Sequence, residues 1–131
     1  MSAYVDTSAL LKLYFDEPDT RECRRLLRSE VDLATSMLTL VEARRRIALH
    51  LDPQARERAR REFQHDWENM DVVRLSDEIV ERGAEIAEAT GVRTLDAVHL
   101  GAAERVSDRV ITYDRRQADA ARALGFTVLG A

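Results

Sequence analysis

Five short apolar runs, with helical stretches between them, set what this 131-residue chain can fold into. They are Ala3-Tyr4-Val5-Asp6, Val31 to Thr35, Val72 to Leu75, Val110 to Tyr113 and Phe126 to Leu129. Runs this short and continuously apolar are characteristic of strands covered on both faces, as in a parallel sheet. Alternation with helices then predicts an α/β fold: three layers, α/β/α, around a mostly parallel sheet. In such folds chemistry gathers at the carboxyl ends of the strands.

The helices are marked by periodicity and punctuation. Thr7 to Phe15 reads as a short helix, and Pro18 fits the first position of a second one running to about Ser29. Ser36 to about Leu51 is helical, with Met37, Leu40, Val41, Ala48 and Leu51 on one face. Asp52-Pro53 restarts a helix through Met70. Ser76 caps a helix that turns Ile79, Ile86 and Ala87 inward, and Gly91 stops it. Thr94 caps another, with Leu95, Val98, Ala102 and Val106 at helical spacing. Gln117 to Leu124 is the last, stopped by Gly125.

No linker, repeat or low-complexity segment interrupts this pattern, so residues 1–131 are expected to form a single domain. No apolar run approaches the ~20 residues that span a bilayer. The strand-like start shows no basic segment ahead of an apolar one, so a cytoplasmic protein is expected. The single cysteine, Cys23, excludes an internal disulfide and gives no zinc pattern. A net charge of −4 argues against a general nucleic-acid-coating surface. The charge is uneven, however: residues 44–61 hold seven arginines against Asp52 and Glu57. That stretch is either a solvated helix face or a local phosphate-steering patch.

Four acids stand at the starts of helices: Asp6, Glu42, Asp96 and Asp114. Asp6 ends the first strand and Asp114 the fourth. Each acid has an ordinary role open to it. Asp6 can cap the first helix, and Thr39 with Glu42, or Asp114 with Gln117, has capping-box spacing. Asp96 lies in a first turn, where the helix dipole favours an anion. If the first and fourth strands are neighbours, however, the acids converge. Carboxylates within ~5 Å of one another repel by roughly 3 kcal/mol per pair at an effective dielectric of 20. A dipole returns only ~0.3–1 kcal/mol per acid. A divalent cation resolves the conflict, and oxygen-only ligands suit Mg²⁺ or Mn²⁺.

Together, Tyr4-Val5-Asp6-Thr7-Ser8-Ala9-Leu10, Glu42 after an apolar run, Leu95-Asp96-Ala97-Val98-His99-Leu100 and Thr112-Tyr113-Asp114 resemble the PIN-domain nucleases. The resemblance is nearest to the VapC-type toxins of bacterial toxin–antitoxin pairs, and it runs the length of the chain. It implies a five-stranded parallel sheet flanked by helices and an acidic centre of Asp6, Glu42, Asp96 and Asp114 holding Mg²⁺ or Mn²⁺. Ser8 and Thr112 would hydrogen-bond the acids or a metal-bound water. It further implies an endoribonuclease acting on RNA, a homodimer, and a small antitoxin that blocks the site.

Other residues have quieter readings. His99, one helical turn after Asp96, is either a ligand or a core histidine satisfied by a hydrogen bond. Arg93 reaches phosphate or stands on the surface. Trp67, alone, makes no base-stacking platform and packs on the core or a partner. Two rival functions remain: RNA processing outside a toxin system, and a catalytically weak module that sequesters a partner. A receiver-type phosphoacceptor wants a lysine near its phosphate, and the only lysine is Lys12, on the first helix. A haloacid-type phosphatase would need Asp-x-Asp where Asp6-Thr7-Ser8 stands.

Overall fold

A computed structural model describes residues 2–131. The chain runs β1 (Ala3–Val5), α1 (Thr7–Leu11), α2 (Thr20–Ser29), β2 (Leu33–Ser36), α3 (Met37–His50), α4 (Pro53–Glu68), β3 (Asp71–Val73), α5 (Asp77–Thr90), α6 (Thr94–Ala103), β4 (Arg109–Thr112), α7 (Arg115–Ala123) and β5 (Thr127–Gly130). The five strands form one sheet in the order β3-β2-β1-β4-β5, and every pairing is parallel.

Side chains alternate across a strand, and that alternation divides the core in two. Tyr4 lies level with Ala34 on β2 and Val110 on β4. All three pack with Ile79, Ile86, Leu100 and Ala121, from α5, α6 and α7. Ala3, Val5 and Ile111 take the opposite face, with Leu10, Leu27, Ile47 and Phe63 from α1 to α4. Fully burying a side chain of this kind is worth about 1.5–3 kcal/mol. Trp67 joins this second cluster, its ring 5.7 Å from that of Phe63.

The topology puts the site where it is. From β1 the chain steps outward through β2 to β3, then returns to the other side of β1 for β4 and β5. The order therefore reverses between β1 and β4, the place where an open α/β sheet leaves a crevice at its carboxyl edge. Tight packing of α5 on α6 fixes one wall. A Cβ added at Gly101 would come within 3.0 Å of the Ile79 carbonyl oxygen, and one at Gly83 within 3.0 Å of Val98 Cγ2. Glycine at these two positions lets the helices approach.

Several local expectations shift. The helix after Pro18 begins two residues later, at Thr20, because Thr20 Oγ1 accepts the Glu17 amide and donates to the Phe15 carbonyl. Val31 is 95% exposed and lies ahead of β2. On α3 the buried residues are Thr39, Ala43 and Ile47, whereas Met37, Val41 and Ala48 are exposed. Thr94 is the first residue of α6 and not its cap; Arg93 holds the cap position without a side-chain bond. The caps at Asp52 and Ser76 form as expected, accepting from the Ala55 and Ile79 amides. Gly91 ends α5 with φ +73°, a left-handed conformation that side chains resist.

Among the described residues, no helix is long and apolar enough to cross a membrane.

Candidate active site

Asp6 follows β1 directly, and its carboxylate is enclosed by donors. The Ala9 amide donates to Oδ1 at 2.8 Å, capping α1. The Ser8 hydroxyl lies 2.9 Å from Oδ1 and 3.0 Å from Oδ2, and the Thr112 hydroxyl donates to Oδ2 at 2.9 Å. Burial raises the carboxyl above its ordinary range. The Ala9 amide, His99, Thr112 and Ser8 pull against it. The cap and the site thus use the same side chain.

Asp114 stands two residues beyond β4, the strand beside β1. Its Oδ1 accepts from the Arg116 and Gln117 amides at 2.9 and 3.1 Å, so it caps α7. Its own amide donates to Thr112 Oγ1 at 3.1 Å. Thr112 therefore ties the two strand-end acids together: it accepts from one and donates to the other.

Asp96 projects from the first turn of α6. Its carboxyl is pushed up to about 6, first by burial and then by the charges of Asp114 and Asp6. His99 offsets part of the rise, and Glu42 adds to it. Asp96 thus feels all three other acids. β1 and β4 are neighbours, the condition on which the convergence of the acids depends.

Glu42 enters differently from the expected capping box. Helix α3 begins at Met37, so Thr39 lies inside it and Glu42 on its second turn. Glu42 Oε1 accepts from Thr7 Oγ1 at 2.7 Å and lies 2.7 Å from His99 Nε2. Burial alone would raise this carboxyl. The bond and charge of His99, with the Thr7 hydroxyl, outweigh it and hold Glu42 below its ordinary value.

His99 is a satisfied core histidine, and its partner is a site acid. It is only 2% exposed, with Nδ1 2.6 Å from Tyr4 Oη and Nε2 against Glu42. A carboxylate only accepts, so the Nε2 proton faces Glu42, while Nδ1 and Tyr4 Oη share a second hydrogen bond. Burial keeps the Tyr4 phenol protonated. Beneath them runs a row of hydroxyls. Thr35 donates to the Val5 carbonyl at 3.0 Å, and Thr39 lies 2.6 Å from Thr35 and 3.0 Å from Thr7. Thr7 gives its proton to Glu42, so Thr39 donates to one of its two neighbours. Sequence reading missed Thr7, Thr39 and Tyr4. The one available signal was polar residues inside apolar runs.

Other candidates fall outside this cluster. Arg93 is exposed at the start of α6. Of the arginines between 44 and 61, all but Arg56 are exposed; Arg61 pairs with Glu57, and Arg46 lies 4.8 Å above the Phe15 ring. Lys12 ends α1, nearly buried, 2.7 Å from Asp19 and 3.4 Å from Glu17.

Whether these residues suit a cation turns on donors and charge. Among the described residues, no three His, Cys, Asp or Glu side chains close directly on a common point. The donors are all carboxylate oxygens, and Asp96 carries the unrelieved repulsion of its neighbours. That combination fits a hard divalent ion that keeps much of its water and binds through few carboxylates.

The PIN-domain family model matches residues 3–123. The chain belongs to the PIN-domain family. Two relatives, both from Mycobacterium tuberculosis, carry the name ribonuclease. VapC47 is 37% identical over 130 residues, covering 94% of this chain and 92% of its own. VapC46 is 34% identical over 129 residues, covering 96% and 95%. Among solved structures, M. tuberculosis VapC20, described as a sarcin–ricin loop cleaving toxin, superposes with a TM-score of 0.77 at 18% identity over 99% of this chain and 98% of that one. The FitAcB structure from Neisseria gonorrhoeae gives 0.75 at 19% identity, over 97% and 96%. These superpositions show that the five-stranded parallel sheet with helices on both faces is the PIN fold.

Proposed function

We propose that the chain is an endoribonuclease that hydrolyses RNA phosphodiester bonds and serves as the toxin of a toxin–antitoxin pair, with residues 1–131 as one nuclease domain working in the cytoplasm. The observation that carries this reading is the joining of the strand-end acids Asp6 and Asp114 through Thr112 at the β1–β4 crevice. The two relatives named ribonuclease, each above 30% identity over nearly the whole chain, support the substrate class.

In this reading Asp6 and Asp96 are the principal ligands of Mg²⁺ or Mn²⁺, and Glu42 and Asp114 complete the site directly or through water. Such an ion supplies a water of lowered pKa and neutralises charge on the phosphate. The chain's own residues do the rest. Thr112 and Ser8 orient Asp6, Thr7 and His99 hold Glu42, and the caps on α1 and α7 anchor the acids to rigid backbone. An acidic crevice repels RNA without the ion, and single-stranded or looped RNA reaches a recessed site more readily than a duplex.

Partners follow in the same terms. Several superposing structures are toxin–antitoxin complexes, among them one from Klebsiella pneumoniae with a TM-score of 0.73. In this reading a small antitoxin covers the acidic crevice and blocks it. Exposed Val41, Leu49 and Val80 are apolar surface available to a second copy in a homodimer.

Cleavage of a structured RNA by the purified chain, with Mn²⁺ and with EDTA, tests the reading. Activity that needs Mn²⁺ and is lost in a folded Asp6→Asn supports it; activity in EDTA sinks it. The rival, a partner-binding module with negligible turnover, has one observation on its side: among the described residues no three acids meet at a point. Tight antitoxin binding with no cleavage of any RNA would favour that rival.

A further inference from the structure

Two of the site's acids send a donor to a third. Thr7, directly after Asp6, and His99, one turn after Asp96, both reach the same oxygen of Glu42, each at 2.7 Å. Oε2 of Glu42 carries no hydrogen bond among the described residues. The glutamate side chain is 30% exposed, and without these donors its three rotatable bonds would leave the carboxylate free to wander. His99 cannot wander. Its side chain is 3% exposed, its Nδ1 is 2.6 Å from Tyr4 Oη, and the Tyr4 ring meets it edge-on at 5.9 Å between centroids. Tyr4 is itself fully buried in β1, the central strand.

We propose that His99 is a positioning residue: braced by Tyr4, it fixes Glu42 with one oxygen bound and the other free, and so sets the affinity of the acidic centre for a divalent cation. This rests on the cation-dependent reading above. The histidine that looked like core packing supports one of the site's acids from behind. Residues that orient a ligand in this way typically change metal affinity about 10–100-fold when removed. Tyr4 acts one step further back, by holding the ring in place through its hydrogen bond to Nδ1.

The test is a calorimetric titration of Mn²⁺ into the purified full chain and its variants, with folding checked by thermal melting. His99→Leu is expected to weaken Mn²⁺ binding by about 10-fold or more, and Tyr4→Phe to weaken it by a smaller factor. His99→Gln, whose amide donates at similar reach, should recover most of the loss. The double variant His99→Leu/Glu42→Gln should bind no more weakly than Glu42→Gln alone, because both changes act on one carboxylate. If His99→Leu does not fold, Tyr4→Phe, which keeps the imidazole and its packing, decides. Wild-type affinity in folded His99→Leu or in Tyr4→Phe overturns the proposal, as does a full additional loss in the double variant. If the wild-type chain binds Mn²⁺ and the variants match it, this inference alone fails. If the wild-type chain binds none, the cation reading fails with it.

Discussion

Thr112 donates its hydroxyl to Asp6 at 2.9 Å across 106 residues of sequence, and the same oxygen accepts the Asp114 amide at 3.1 Å. A fully buried threonine on β4 thereby sets the relative placement of the two strand-end acids. Thr112→Val keeps the shape and the β-branching of this strand residue while removing both bonds. Hydrogen bonds to charged groups are worth about 1.5–3 kcal/mol, and an unpaired buried partner adds to the loss. Urea denaturation should show a stability loss of about 2 kcal/mol. RNA cleavage should fall further than stability explains.

Asp96 predicts a conflict between stability and function. Its carboxyl rises from 3.8 to about 6 in the folded chain, first through burial and then through Asp114 and Asp6. A raised value means that the folded chain holds this proton more tightly than the unfolded one. The resulting stability is present below pH 3.8 and is lost as pH rises through about 6. At neutral pH the ionised group therefore works against the fold. In EDTA at pH 7.5, Asp96→Asn should gain about 1–2 kcal/mol by urea denaturation, after discounting for partial exposure. The gain should shrink towards zero near pH 4, and the variant should lose cleavage. A variant less stable than wild type at pH 7.5 would contradict this.

Gly101 predicts a packing cost at a distance from the chemistry. A Cβ there would meet the Ile79 carbonyl oxygen at 3.0 Å, and backbone cannot swing aside as a flexible side chain can. Gly101→Ala should destabilise by about 1–3 kcal/mol, read by thermal or urea unfolding. Because α6 carries both Asp96 and His99, Mn²⁺ affinity should fall with it.

Most of the fold was legible because buried parallel strands must be short and apolar, as Ala3-Tyr4-Val5 and Val110-Ile111 are. Asp52 and Ser76 were legible as caps because a capping bond is local, three residues long. The adjacency of Asp6 and Asp114 was not, since it depends on β1 choosing β4 as its neighbour more than 100 residues away. The face of α3 was misread in part, for a different reason, although Leu40 and Leu51 do pack on the core as expected. Thr39 is buried because its hydroxyl joins Thr7 and Thr35, while Met37 and Val41 point out. An apolar pattern cannot reveal the part of an inward face that serves a polar network. Thr7 was hidden by Asp6: beside a conspicuous acid it read as an ordinary helical residue. His99 was read correctly as buried and hydrogen-bonded, but sequence could not say that its partner would be Glu42.

The central claim is that Asp6, Glu42, Asp96 and Asp114 form one cation site at the β1–β4 crevice. Crystals grown with saturating Mn²⁺, and diffraction recorded at a wavelength where manganese scatters anomalously, test it most directly. The account predicts anomalous density within the reach of Asp6 and Asp96, lost in Asp6→Asn. No density among the four acids at saturating Mn²⁺, or density only elsewhere on the chain, would contradict it.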